Sequence, residues 1–178
     1  MATCALTTGF ERYNCETVIG GIQELYLLPM SSFTSVTVTA SEVTAITMVG
    51  TPTWYGYQLS EEVGLLETVE TFNKQNNSLF YDANCSFTLN KMEAVKANEL
   101  ALVVLQRCVA IVKTENGEYF FMGDERGVHK SGGTNNSTTG TAFGDLNGYN
   151  INLQAMQSHD TYMITASVVT ALTIDYNS

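Results

Sequence analysis

Ser78-Leu-Phe-Tyr-Asp-Ala-Asn-Cys-Ser-Phe-Thr88 decides the fold. Leu79, Tyr81, Ala83, Cys85 and Phe87 fall on one face of an extended chain. Ser78, Phe80, Asp82, Asn84, Ser86 and Thr88 fall on the other. A side-chain period of two is the signature of a half-buried strand. The stretch 147–155 repeats it, with Tyr149, Ile151, Leu153 and Ala155 opposite Asn150, Asn152 and Gln154. Both outward faces are neutral and rich in amides and hydroxyls, which suits a protein whose product is a surface.

The rest of the chain is organised around these two strands. Gly64–Lys74 forms a hairpin with 78–88 through Gln75-Asn76-Asn77, a turn-prone link because Asn tolerates positive φ. Ile22–Leu28, Thr34–Thr39, Val43–Val49, Trp54–Leu59, Cys108–Lys113 and Tyr119–Gly123 read as further strands. Pro29 stops the first or places it on an edge. Asn116-Gly117 predicts a hairpin between the last two. The run 91–107 predicts the one helix, with Asn90 as N-cap and Glu93 completing a capping box. It is apolar all round from Leu100 to Leu105, so more than one side needs cover. The segment 168–174 reads as a terminal strand or arm. These elements predict a mainly β single domain over residues 1–178: a β-sandwich or partly open barrel of two antiparallel sheets with a flanking helix at 91–107. An irregular arm covers about 2–21, and a Gly/Ser/Thr/Asn-rich loop covers about 124–146. Loops that long in compact domains usually carry function.

Composition narrows the function. The chain has 178 residues, of which 44% are hydrophobic, so it can bury a core. Only 15% are charged, against roughly 25% in ordinary soluble domains. That deficit points to surface covered by other subunits. Eighteen acidic residues face eight basic ones, giving net −10 and a pI near 4.4. Tight binding to nucleic acid needs cations that replace phosphate counterions, and an anionic membrane surface repels this chain as well. No membrane span or signal peptide is legible. Cys4, Cys15, Cys85 and Cys108 show no CxxC spacing, so free thiols and synthesis in a cytoplasm are expected.

Candidate chemistry is sparse. His129 and His159 stand in predicted loops without the motif of a nucleophile–base pair. Gly127-Val-His-Lys-Ser-Gly-Gly133 lacks the Gly-Lys step and following helix of a phosphate loop. Asp145-Leu-Asn-Gly-Tyr-Asn150 resembles a calcium-loop fragment, but its twelfth position is Met156, where an EF-hand requires Glu. An Asn-Gly turn with positive φ explains it better. Glu61, Glu62, Glu67 and Glu70 read as a solvated acidic face. No catalytic, cofactor-binding or metal-binding residue is assigned, and the chain is not expected to be an enzyme.

This arrangement resembles the tail-tube protein family of long-tailed bacteriophages, whose fold is similar to the inner-tube subunit of type VI secretion systems. Gly20-Gly-Ile-Gln-Glu-Leu-Tyr-Leu27 and Gly144-Asp-Leu-Asn-Gly-Tyr149 also look like stretches of small phage structural proteins. The resemblance implies hexameric rings whose inner sheets form one barrel, stacked into a tube that conducts DNA without holding it tightly. It makes Asp82, Asn84, Ser86, Thr88, Asn150, Asn152 and Gln154 the lumen-facing candidates. His129, Lys130, Gly132, Gly133, Asn135 and Asn136 become candidates for a loop that touches the next ring. The implied partners are copies of the chain and other tail or neck proteins, and the implied location is the virion tail after synthesis in the host bacterium. A capsid-decoration or head–tail connector protein is the alternative.

Overall fold

The structure is a computed structural model that describes residue 9 and residues 18–131 and 135–176. Among the described residues, thirteen strands form two sheets and two α-helices accompany them, so the fold is mainly β. The expected mainly β sandwich with one sizeable flanking helix is what the chain adopts. The arm expected over 2–21 lies almost wholly outside the described residues up to 17. Gly132 and Gly133 of the loop, and Cys4 and Cys15, also lie outside them.

The strands are β1 (Ile22–Pro29), β2 (Phe33–Thr39), β3 (Glu42–Met48), β4 (Trp54–Gln58), β5 (Gly64–Asn73), β6 (Ser78–Asn90), β7 (Cys108–Thr114), β8 (Tyr119–Met122), β9 (His129–Lys130), β10 (Asn136–Thr138), β11 (Gly148–Gln157), β12 (Tyr162–Ile164) and β13 (Ile174–Asp175). The helices are α1 (Ala94–Leu105) and α2 (Ala166–Thr170). The smaller sheet runs β10-β11-β6-β5, with β9 also on β11. The larger runs β13-β4-β1-β7-β8-β12-β3-β2. Most pairs are antiparallel, but β12–β3 and β13–β4 are parallel.

The two sheets face each other across one core. Ala83, Cys85, Phe87, Ile151, Leu153 and Ala155 from the smaller sheet meet Leu25, Leu27, Ala110 and Val112 from the larger, with Leu100 of α1 at one end. These are the inward positions that the period-two pattern selects. A second core lies on the opposite face of the larger sheet, where Trp54, Val109, Ile111, Phe121, Val43 and Val169 pack together. Residues 108–112 of β7 are therefore buried on both faces, as their unbroken apolar run requires.

Several local expectations need correction. The helix begins at Ala94 rather than at 91, and Glu93 occupies the N-cap with no side-chain capping bond. Asn90 does not cap it. The ladder with β11 continues through Asn90↔Gly148, and Lys91 N–H adds a bond to the Asn147 carbonyl at 2.7 Å. The chain then breaks at Lys91, whose φ is 66°. Strand pairing thus claims the residues that a capping box would have used. The helix also ends earlier, at Leu105. Gly148 does not supply a positive φ. It is in the ladder, and an added Cβ there would stand 2.1 Å from the Leu89 carbonyl oxygen, so its role is close backbone approach. The loop 124–146 is not free, because β9 and β10 lie within it and both pair with β11. The terminal segment 168–174 is mostly the end of α2 and a turn, with only its last residue in a strand. Glu61 and Glu62 sit in a turn and Glu67 and Glu70 in β5, so the four glutamates do not form one strand face.

Candidate functional site

The outward face of the smaller sheet gathers every described candidate for the lumen. Register places Thr88 opposite Asn150, Ser86 opposite Asn152 and Asn84 opposite Gln154. Residues opposite each other in an antiparallel pair share a face. On β5 the same face carries Leu65, Glu67 and Val69, opposite Ser86, Asn84 and Asp82.

Two of the expected loop contacts join this surface. Asn136 pairs with Asn150, and its Oδ1 accepts from Asn150 Nδ2 at 2.9 Å. Asn150 Oδ1 in turn accepts from the Thr88 hydroxyl at 2.9 Å. An amide–amide–hydroxyl chain therefore crosses three strands. Asn135 Oδ1 accepts the backbone N–H of Asn152 at 2.7 Å, and its Nδ2 donates to the Ser131 carbonyl. His129 stands opposite Gln154, and Lys130 stands opposite Leu153, which puts Lys130 on the other face. The candidates assigned to lumen and loop are thus largely one continuous polar surface. Its outward strand positions carry Glu67 and Asp82 but, among the described residues, no lysine or arginine. A shallow depression of about 440 Å³ lies over Glu62, Leu65, Ser86, Thr88, Asn150 and Asn152.

The two ends of this sheet differ. At the β5–β6 tip the two strands continue past the end of the β11 ladder. Val69, Phe72, Leu79 and Phe80 there are 40–51% exposed. A two-stranded ribbon with apolar groups on both faces is marginal in water by itself. β5 is also a ten-residue strand at the sheet edge, with a partner on one side only among the described residues. Leu102 and Leu105 of α1 are exposed too, at 42% and 81%. Of the expected all-round apolar segment, Leu100 and Val103 pack on the core.

Sequence reasoning missed three polar clusters that only tertiary contact creates. His159 Nε2 meets both Asp124 carboxylate oxygens at 3.1 Å, its Nδ1 meets the Asp160 carbonyl at 2.7 Å, and its ring stacks on Tyr162. Glu125 accepts the Ser158 N–H and hydroxyl beside it. This ties the turn after β8 to the turn after β11. Asn116 grips Ile19 through both backbone groups, accepting its N–H at 3.0 Å and donating to its carbonyl at 2.8 Å. Glu24 receives Lys113 Nζ at 3.0 Å, the Tyr26 hydroxyl at 2.9 Å and the Tyr176 hydroxyl at 2.5 Å. Each cluster is closed by partners far apart in the chain, Asp124 with His159, Asn116 with Ile19, and Glu24 with Lys113 and Tyr176, so no local signal announces it.

Asp145 closes a turn within its own loop. Its Oδ2 accepts the N–H groups of Thr141 and Ala142 at 2.8 and 2.7 Å. Among the described residues, no group of three His, Cys, Asp or Glu side chains could hold a metal ion. No described helix is long and apolar enough to cross a membrane. Comparison with known protein families, with curated proteins and with solved structures finds no match to this chain.

Proposed function

We propose that this chain is a virion structural subunit of the tail-tube kind. Copies close into rings, and the outward face of the β10-β11-β6-β5 sheet lines a DNA conduit. The observation that carries this reading is that face itself. It is a bonded ladder of amides and hydroxyls with carboxylates and, among the described residues, no lysine or arginine at its strand positions, on a sheet whose ten-residue edge strand has no second partner among those residues. An open edge of that length invites pairing with another chain. A conduit gains from a surface that offers phosphates no charge trap, since each cation would release counterions on binding. Net charge of −10 adds repulsion felt over about 8 Å at physiological salt.

The partners under this reading are copies of the chain and adjoining tail or neck proteins, and the site of action is the virion. Electron microscopy of concentrated protein tests it. Rings or stacked tubes with a central channel are the expected result. Monodisperse monomer at high concentration, unchanged by a tail-initiation complex, overturns it. Binding of monomer to empty capsids would favour the decoration reading instead.

A further inference from the structure

The last described residues form a strap. β13 is only two residues long and pairs in parallel with the start of β4, Ile174 against Trp54 and Asp175 against Tyr55. Tyr176 then leaves the edge. Its ring takes the space where a side chain on Gly56 would stand, since a Cβ there would lie 2.6 Å from the ring. Its hydroxyl reaches Glu24 on β1, and its ring meets Tyr26 edge-on at 6.4 Å. Leu172 and Ile174 pack against the second core from outside. Beyond Tyr55 no described residue pairs with β4 on that side, and a groove of about 500 Å³ walled by Tyr57, Leu89, Val95, Leu100 and Tyr176 lies beside it.

We infer that this strap is exchangeable: residues 172–176 of one copy seat on β4 and Glu24 of a second copy, linking the two. The occupant is fixed by complementarity already present in every copy. The notch at Gly56 fits the Tyr176 ring, and the Glu24 carboxylate gathers that ring's hydroxyl. Exchange of an identical element re-forms the same contacts between chains at little cost. The intramolecular hold is small: a two-residue ladder, partial packing of Leu172 and Ile174, and one tyrosine catch. The inference rests on the self-assembling reading above but adds a contact away from the polar face.

Tyr55 and Asp175 are exposed and opposite each other, so Tyr55→Cys with Asp175→Cys places a disulfide across the seat. The protein is oxidised over a range of concentrations. The new linkage is mapped by peptide mass, to separate it from the native cysteines, and sized on a non-reducing denaturing gel. Intrachain bonds at high dilution, giving way to covalent dimers or longer ladders as concentration rises, are expected. Adding Gly56→Ala, which crowds the ring from its notch, should remove most of the interchain product. Only intrachain bonds at every concentration overturn the inference. Rings without interchain bonds would sink the strap and leave the tube reading standing. Interchain bonds without rings would do the reverse.

Discussion

Gln154 Nε2 lies 2.9 Å from both carboxylate oxygens of Asp82, although the residue opposite Asp82 on β11 is Met156. The bond is diagonal, two residues off the direct pair. It lets a carboxylate sit on the outward polar face of the sheet without a cation beside it. A neutral amide satisfies it, and the face keeps its negative charge. Gln154→Ala should therefore cost about 1.5–3 kcal/mol, the net worth of a hydrogen bond to a charged group. Urea unfolding reads this directly. A loss several times larger would show that the ladder, not the core, holds the sheet.

The parity of β11 yields a sharper contrast. Leu153 is 1% exposed and Met156 is 47% exposed. Leu153→Ala should lose about 2–5 kcal/mol, because it removes buried methyl groups and leaves a cavity. Met156→Ala should change the unfolding midpoint very little. Equal effects at the two sites would contradict the inward–outward assignment.

Acid should weaken the seat of Tyr176 through Glu24. Burial raises the Glu24 pKa, but hydrogen bonds from Tyr176, Lys113 and Tyr26 outweigh it and leave the value below the ordinary 4.5. A carboxylate depressed in the native state stabilises the fold above its unfolded value. That contribution is lost as pH falls from about the ordinary carboxylate value through the lower native one. Glu24→Gln should flatten that part of the stability–pH curve. Wild-type and variant curves that stay parallel through the acid limb would rule out the linkage.

The thiols should be masked by folding. Burial pushes Cys85 up to about 12 and Cys108 up to about 11, and the thiolate is the reactive form. Both are free and buried. Native protein at mildly alkaline pH should leave these two unmodified by a thiol reagent, and unfolding should expose them. Peptide mapping that finds either one labelled at the rate of an open thiol would refute this.

Cations on the polar face should act on DNA rather than on folding. Glu67→Lys with Ser86→Lys alters outward positions without touching the Thr88–Asn150–Asn136 chain. Under the tube reading, assembly should persist and DNA release should slow, most at low salt, where the added phosphate contacts are strongest. Release at the wild-type rate across salt concentrations would place these residues outside any channel.

Asn116→Ala should free the chain entering β1. It removes both bonds to Ile19 at once. Amide exchange at Ile19 should rise while the core amides of β7 keep their protection. Unchanged exchange at Ile19 would show the grip to be incidental.

The sequence by itself determined the strands and their faces. Alternation in 78–88 and 147–155 marks which side chains go inward, because one-residue slips would bury amides and expose Cys85, Ile151 and Leu153. The unbroken apolar run at 108–112 marks a strand covered on both sides, and Asn116-Gly117 marks its hairpin. Tertiary structure alone decided what competes for the ends. β6 continues to Asn90 because β11 is beside it, and this takes away the helix cap that the local sequence favours. The Gly/Ser/Thr/Asn loop lies down as β9 and β10 because β11 offers it an edge. The β12–α2–β13 segment is too short and too weakly patterned to read locally. It takes shape only where Val43 and Trp54 supply a surface. Backbone periodicity is written in neighbours along the chain, whereas the grips of Glu24 on Tyr176 and Asp124 on His159 join residues that only folding brings together.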